Sequence, residues 1–149
     1  DAVPNKHNGL TFCAGSFSAG EHNDCVAMAK QFADRTHFVH LRSCYIFPNG
    51  NFTEASHLGG RGHLIELCRI FEKAEQEGKC NSGRRLPMRV DHGMTFTDEP
   101  GGVFDESNHG HNAGYTLLGR MFAMGQIQGV IATVDDELGI EYKQPGFYD

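Results

Sequence analysis

Three short apolar runs in this 149-residue chain end on side chains that bind metals or move protons. Leu10-Thr11-Phe12-Cys13 delivers a thiol, His37-Phe38-Val39-His40 an imidazole, and Leu86-Pro87-Met88-Arg89-Val90-Asp91 a carboxylate. One soft donor and two harder ones suit Mn, Fe, Co or Zn better than Mg or Ca, which prefer all-oxygen shells. Three protein donors with open positions define a catalytic metal site, not a closed structural one. Taken singly, a strand-end cysteine is more often a small buried hydrophobe, and a strand-end histidine a hydrogen-bonded core residue. The position shared at successive strand tips is what favours a joint metal site of Cys13, His40 and Asp91.

The neighbours extend the chemistry. His92 follows Asp91 and suits general acid or base work near neutral pH, the plainer alternative being a surface histidine in a turn. Arg42 lies two residues past His40 and could clamp a carboxylate through its fork, or pair with Glu54 or Asp91 instead. The glycine-flanked polar loop Phe52–Gly60, with His57 in it, suits contact with a substrate. Asn112 is a candidate helix N-cap, and Tyr115 would stand beside a helix N-terminus that favours anions, or simply pack beneath the loop. Neither GxGxxG nor GKS/T occurs, which argues against a dinucleotide or ATP site.

These residues need elements to hold them. Residues 10–13, 37–42 and 86–90 read as buried strands. Residues 22–35 read as a helix, with Cys25, Met28, Ala29, Phe32 and Ala33 on one face. A second helix is expected over 61–77 and a third over 113–129. Residues 44–60 read as a long loop with Pro48-Asn49-Gly50 and Gly59-Gly60 as turns, and 93–111 as another. The tail from Thr133 is expected to be loosely held, which divides the chain into 1–132 and a tail of 133–149. The β-α-β-α-β-α alternation of near-continuous apolar strands implies a parallel sheet covered by helices. Long loops after strands and short ones after helices imply an active site at the strand C-termini, as in a TIM barrel.

Composition narrows the field. A formal charge of −6 without a basic block argues against a nucleic-acid surface. No apolar run approaches the ~18–20 residues that span a bilayer, so no membrane partner is expected. Five cysteines without a CxxC pair favour reduced thiols and a cytoplasmic setting.

Four ordered motifs then become specific. Phe38-Val39-His40-Leu41-Arg42, Phe52-Thr53-Glu54-Ala55-Ser56-His57-Leu58, Pro87-Met88-Arg89-Val90-Asp91-His92-Gly93 and Asn112-Ala113-Gly114-Tyr115 (with Gly119-Arg120 beyond) resemble the C-terminal part of the mannonate dehydratase family. Cys13-Ala14-Gly15-Ser16 resembles the family's segment before the histidine strand. The chain departs at Val90, where the family reads Arg-Pro-Asp-His-Gly, at Ser43 (His-Leu-Arg-Asn) and at Ala113 (Asn-Pro-Gly-Tyr).

The resemblance implies a partial (β/α)8 TIM barrel of about three βα units, using Mn2+ or Fe2+. It implies dehydration of D-mannonate to 2-keto-3-deoxy-D-gluconate in hexuronate breakdown. Metal ligands would be Cys13, His40 and Asp91, catalytic proton carriers His92 and Tyr115 in unassigned order, and residues near the substrate Arg42 and His57. A barrel takes about 250 residues, so the chain reads as a fragment whose partner is the missing N-terminal half, which would carry a further metal-binding histidine. Alone, such a piece is expected to be poorly stable or to associate with further copies. Two alternatives stay open: a metal-dependent sugar isomerase or epimerase on a related barrel, and an inactive truncated fragment.

Overall fold

The computed structural model describes residues 3–94, 96 and 115–141. Strand β1 (Leu10–Cys13) runs straight into the short helix α1 (Ala14–Ser18). Helix α2 (Cys25–Phe32) begins where the Asp24 side chain accepts a hydrogen bond from the Ala27 amide at 2.9 Å. That cap satisfies one of the helix's free first-turn amides and sets its start. A 3-10 turn, Ala33–Arg35, leads into β2 (Thr36–His40). Strands β3 (Cys44–Ile46) and β4 (Phe52–Glu54) follow, then α3 (Leu64–Gln76), β5 (Met88–Arg89) and α4 (Leu117–Leu138).

The main sheet has the order β1-β2-β5 and is parallel throughout. The expected α/β class with a parallel sheet is therefore present. Phe12, Val39 and Leu41 from this sheet pack against Leu64, Leu67, Cys68 and Phe71 of α3 in one core. The Phe12 and Phe71 rings meet edge to face with centroids 5.2 Å apart, an arrangement worth more than area burial alone.

Two expectations fail. Residues 44–60 are not only a loop: β3 and β4 form an antiparallel hairpin with Cys44 opposite Glu54 and Ile46 opposite Phe52. Its turn closes through the Phe47 amide on the Asn51 carbonyl at 2.7 Å, and Gly50 supplies the left-handed backbone (φ 84°). The strands escape notice because each is three residues long and Tyr45, Phe52 and Thr53 face outward, leaving no buried run. The tail from Thr133 is not loose over its first turns either, since α4 continues to Leu138 and buries Val134 and Asp135. The expected start of this helix at 113, its Asn112 cap and most of the 93–111 loop lie outside the described residues.

The 22-residue α4 is, by length and composition, apolar enough to cross a membrane, with mean hydropathy 1.2 over its best window. Glycines and glutamines interrupt it, so the sequence itself shows no apolar run of that length. Gly119, Ala123 and Ile127 face the core, while Leu117, Leu118, Met121, Phe122 and Met124 lie on the outside. A helix apolar all round is one that expects cover on more than one side.

Candidate active site

The register of the sheet assembles the donors. Cys13 of β1 lies directly beside His40 of β2, and His40 beside Arg89 of β5. Asp91 stands two residues beyond Arg89, past the end of β5, and the Arg89 side chain reaches its carboxylate. The Sγ of Cys13, a ring nitrogen of His40 and a carboxylate oxygen of Asp91 all lie within 4.8 Å of one another. Bonds of about 2.0–2.3 Å to a single ion separate donors by roughly 3–4 Å, so little movement would complete a shared coordination. His40 Nε2 is buried and finds no hydrogen-bond partner among the described residues. A thiol, an imidazole and a carboxylate grouped in this way fit a divalent ion of the Mn, Fe, Co or Zn kind.

Two guanidinium groups and two imidazoles ring the carboxylate. Arg89 donates to Asp91 Oδ1 at 2.8 Å, while His40 Nδ1, Arg42 Nη1 and His92 Nε2 stand 3.8, 3.9 and 3.7 Å from Oδ2. Ser16 donates to Cys13 Sγ at 3.2 Å. Asp91 itself has left-handed backbone (φ 57°), which turns the chain sharply at the strand tip and sends His92 back over the same site.

The His92 ring stacks on Tyr115, with centroids 4.7 Å apart and planes 27° from parallel. These two residues, 23 positions apart in sequence, meet here. Burial holds His92 below the usual histidine range; Glu54 and Asp91 pull upward, and Arg42 and His57 reinforce the depression. His92 Nδ1 is buried without a hydrogen bond among the described residues and lies 3.7 Å from Glu54 Oε2.

Arg42 takes the plainer of its two expected parts. Its Nε donates to both Glu54 oxygens at 3.1 and 2.9 Å, and its Nη2 lies 2.8 Å from Oε1. Burial opposes the charge, yet the Glu54 hydrogen bonds and carboxylate hold the guanidinium above its ordinary value. Only Gly15 leaves room for this side chain, because a Cβ there would sit 2.5 Å from Arg42 Cγ and Cδ. His57 is 2% exposed, with Nε2 2.9 Å from the Val90 carbonyl, so its ring braces the exit of β5 and presents no open edge to a substrate. Sequence reasoning did not single out Arg89 or Gln126, nor give Glu54 more than a partner's part. The signal for Glu54 was its place one short hairpin after Arg42.

Two further features frame the site. The buried thiols of Cys25 and Cys44 donate to the Ala14 and Gly15 carbonyls at 3.8 and 3.3 Å, tying down the turn after Cys13. All five cysteines are free thiols. A cavity of about 590 Å³ runs along the outer edge of β5, between α3 and α4; of the three donors only Asp91 lines it.

The chain matches known proteins over nearly its whole length. The family model for D-mannonate dehydratase (UxuA) matches residues 1–140. Mannonate dehydratase 2 of Agrobacterium fabrum is 38% identical over 139 residues, covering 92% of this chain and 33% of the relative. Mannonate dehydratase of Saccharophagus degradans is 38% identical over 137 residues, covering 91% and 33%. A crystal structure of mannonate dehydratase from Streptococcus suis serotype 2 superposes with a TM-score of 0.69 over 99% of this chain and 39% of that one. At 20% identity this last likeness speaks for the fold alone. The chain spans about a third of the length of the curated relatives it matches. Over that third, sequence and architecture agree, and the chain belongs to the mannonate dehydratase family.

Proposed function

We propose that these 149 residues carry the metal-binding and proton-transferring part of a mannonate dehydratase, converting D-mannonate to 2-keto-3-deoxy-D-gluconate and water in hexuronate breakdown. The observation that supports this most is the convergence of Cys13, His40 and Asp91 from three parallel strand tips, with the stacked His92 and Tyr115 against them. On this reading β1, β2 and β5 are consecutive strands of a (β/α)8 barrel, and the remainder of the barrel comes from residues outside this chain. The apolar outer side of α4 and the open edges of β1 and β5 are the surfaces that such a remainder would cover.

Cys13, His40 and Asp91 would hold Mn2+ or Fe2+. When bound, the ion supplies positive charge that acidifies the proton α to the substrate carboxylate and steadies the departing hydroxyl. His92 and Tyr115 divide the proton work: one takes the α-proton and the other donates to the leaving oxygen. Their stacking fixes the distance between the two groups, so both steps act on one sugar acid without reorientation. Arg42, anchored on Glu54, keeps one guanidinium nitrogen turned toward Asp91 and the site.

Cobalt titration tests the reading. Co2+ added to the chain should give one binding event with thiolate charge-transfer absorption. Asp91→Ala should abolish it, whereas His92→Ala should retain it. In the longer polypeptide, His92→Ala should still bind metal yet form no 2-keto-3-deoxy acid. Unchanged cobalt binding in Asp91→Ala, or turnover in His92→Ala, would overturn the assignment.

A further inference from the structure

The tip of β5 poses a hydrogen-bonding problem. The strand is two residues long, and its last ladder contact to β2 is the Leu41 amide on the Arg89 carbonyl at 2.7 Å. The next carbonyl, that of Val90, belongs to a buried residue just before the left-handed Asp91. A buried carbonyl without a donor is costly, and a non-glycine residue in left-handed backbone holds only where its surroundings insist on it. His57 meets both demands. Its Nε2 lies 2.9 Å from the Val90 oxygen, which fixes the proton on Nε2, and the bond is wholly buried. The imidazole is itself anchored at the backbone, where its amide donates to Gln126 Oε1 of α4 at 3.2 Å.

We infer that His57 is a positioning residue for the Asp91–His92 turn: its Nε2–H, given to the Val90 carbonyl, holds the backbone that aims the carboxylate and the imidazole into the site. Loop β4–α3, the exit of β5 and helix α4 are thereby joined at one residue through two hydrogen bonds. His57 touches neither substrate nor metal. The consequence for metal binding rests on the reading of Asp91 proposed above, whereas the consequence for the turn does not.

Glutamine places its amide nitrogen close to where histidine carries Nε2, and asparagine falls short. In 1H–15N spectra of the metal-free chain, His57→Leu and His57→Asn should shift the Asp91, His92 and Gly93 amide resonances, and His57→Gln should restore them. Co2+ affinity should fall roughly 10–100-fold in the Leu and Asn variants and return to within about threefold in Gln, as for residues that orient ligands. Unmoved amides in the Asn variant, or equal loss of affinity in Gln and Asn, would overturn the inference. If the Leu variant does not fold, the contrast between the two amides decides. A wild-type chain that binds no Co2+ counts against the metal reading, and the amide shifts still decide the role of His57.

Discussion

Asp91 and Glu72 are carboxylates drawn below the surface of the same small fold, in opposite company. Asp91, at the tip of β5, has Arg89, Arg42, His40 and His92 around it within 2.8–3.9 Å. Glu72, on α3, faces Asp135 across the interface with α4 and Glu75 on its own helix, with Arg85 as the compensating charge. Burial first, then its two acidic neighbours, push Glu72 up to about 7. Burial raises Asp135 as well. The contrast lies in where this fold places its guanidinium groups: Arg42 and Arg89 stand at the strand end around Asp91, whereas between the helices burial shifts Glu72 and Asp135 toward their protonated forms.

The sharpest way to break the comparison is at Asp91. Asp91→Ala should lower Co2+ affinity by more than about 100-fold, beyond the loss expected of a merely supporting residue. It also leaves Arg42 and Arg89 facing one another without their shared anion, so the melting temperature should fall with it; calorimetry on the same samples checks both. Glu54→Ala comes next. It strips the fork from a buried guanidinium and should cost about 2–4 kcal/mol in urea unfolding. Adding Arg42→Met should recover part of that loss, since the unpaired charge is then gone, and additive losses in the double-mutant cycle would show the pair to be uncoupled.

The helix interface should respond in the other direction. Between the ordinary glutamate value of 4.5 and about 7, the folded state binds more protons at Glu72 than the unfolded state does. Stability from this group is therefore greatest at the acidic end of that window and falls as pH rises through it. Glu72→Gln should stabilise the chain at pH 8 by on the order of 1 kcal/mol, allowing for solvent screening, and the gain should vanish near pH 5. A gain that is the same at both pH values would show that packing, not protonation, is responsible. The smallest effect is expected at the exposed fork between Arg69 and Glu137, where Nε and Nη2 donate at 2.8 and 3.1 Å. Arg69→Ala should move the melting temperature by no more than about 2 °C, because exposed pairs gain little over water.

Much of the architecture was legible because burial writes itself into periodicity. Leu64, Leu67, Cys68 and Phe71 announce α3 by spacing, and the apolar runs around Phe12 and Val39 announce β1 and β2. The hairpin was not legible, since strands of three residues with one face in solvent carry no such run. The reach of α4 to Leu138 was hidden by acidic residues, Asp135-Asp136-Glu137, that suggest a tail until Asp135 is seen buried against α3. In the site, Cys13, His40 and Asp91 were readable as strand ends, and their meeting was an inference from shared position. His57 was readable as a polar loop residue, but the bond to Val90 that defines its part joins residues 33 positions apart in the chain.

The alternation of the three parallel strands with their long helices, the residues with chemistry to offer and the family resemblance were all readable from the amino-acid sequence, because these follow from local pattern and residue type. Only the tertiary structure decided which of those residues face one another. It set Cys13 against His40 through strand register, gave Arg42 to Glu54 through the hairpin, and gave the Val90 carbonyl to His57. Such pairings are settled by the requirement that buried charges and hydrogen-bonding groups find partners wherever the packed chain brings them, which no local pattern records.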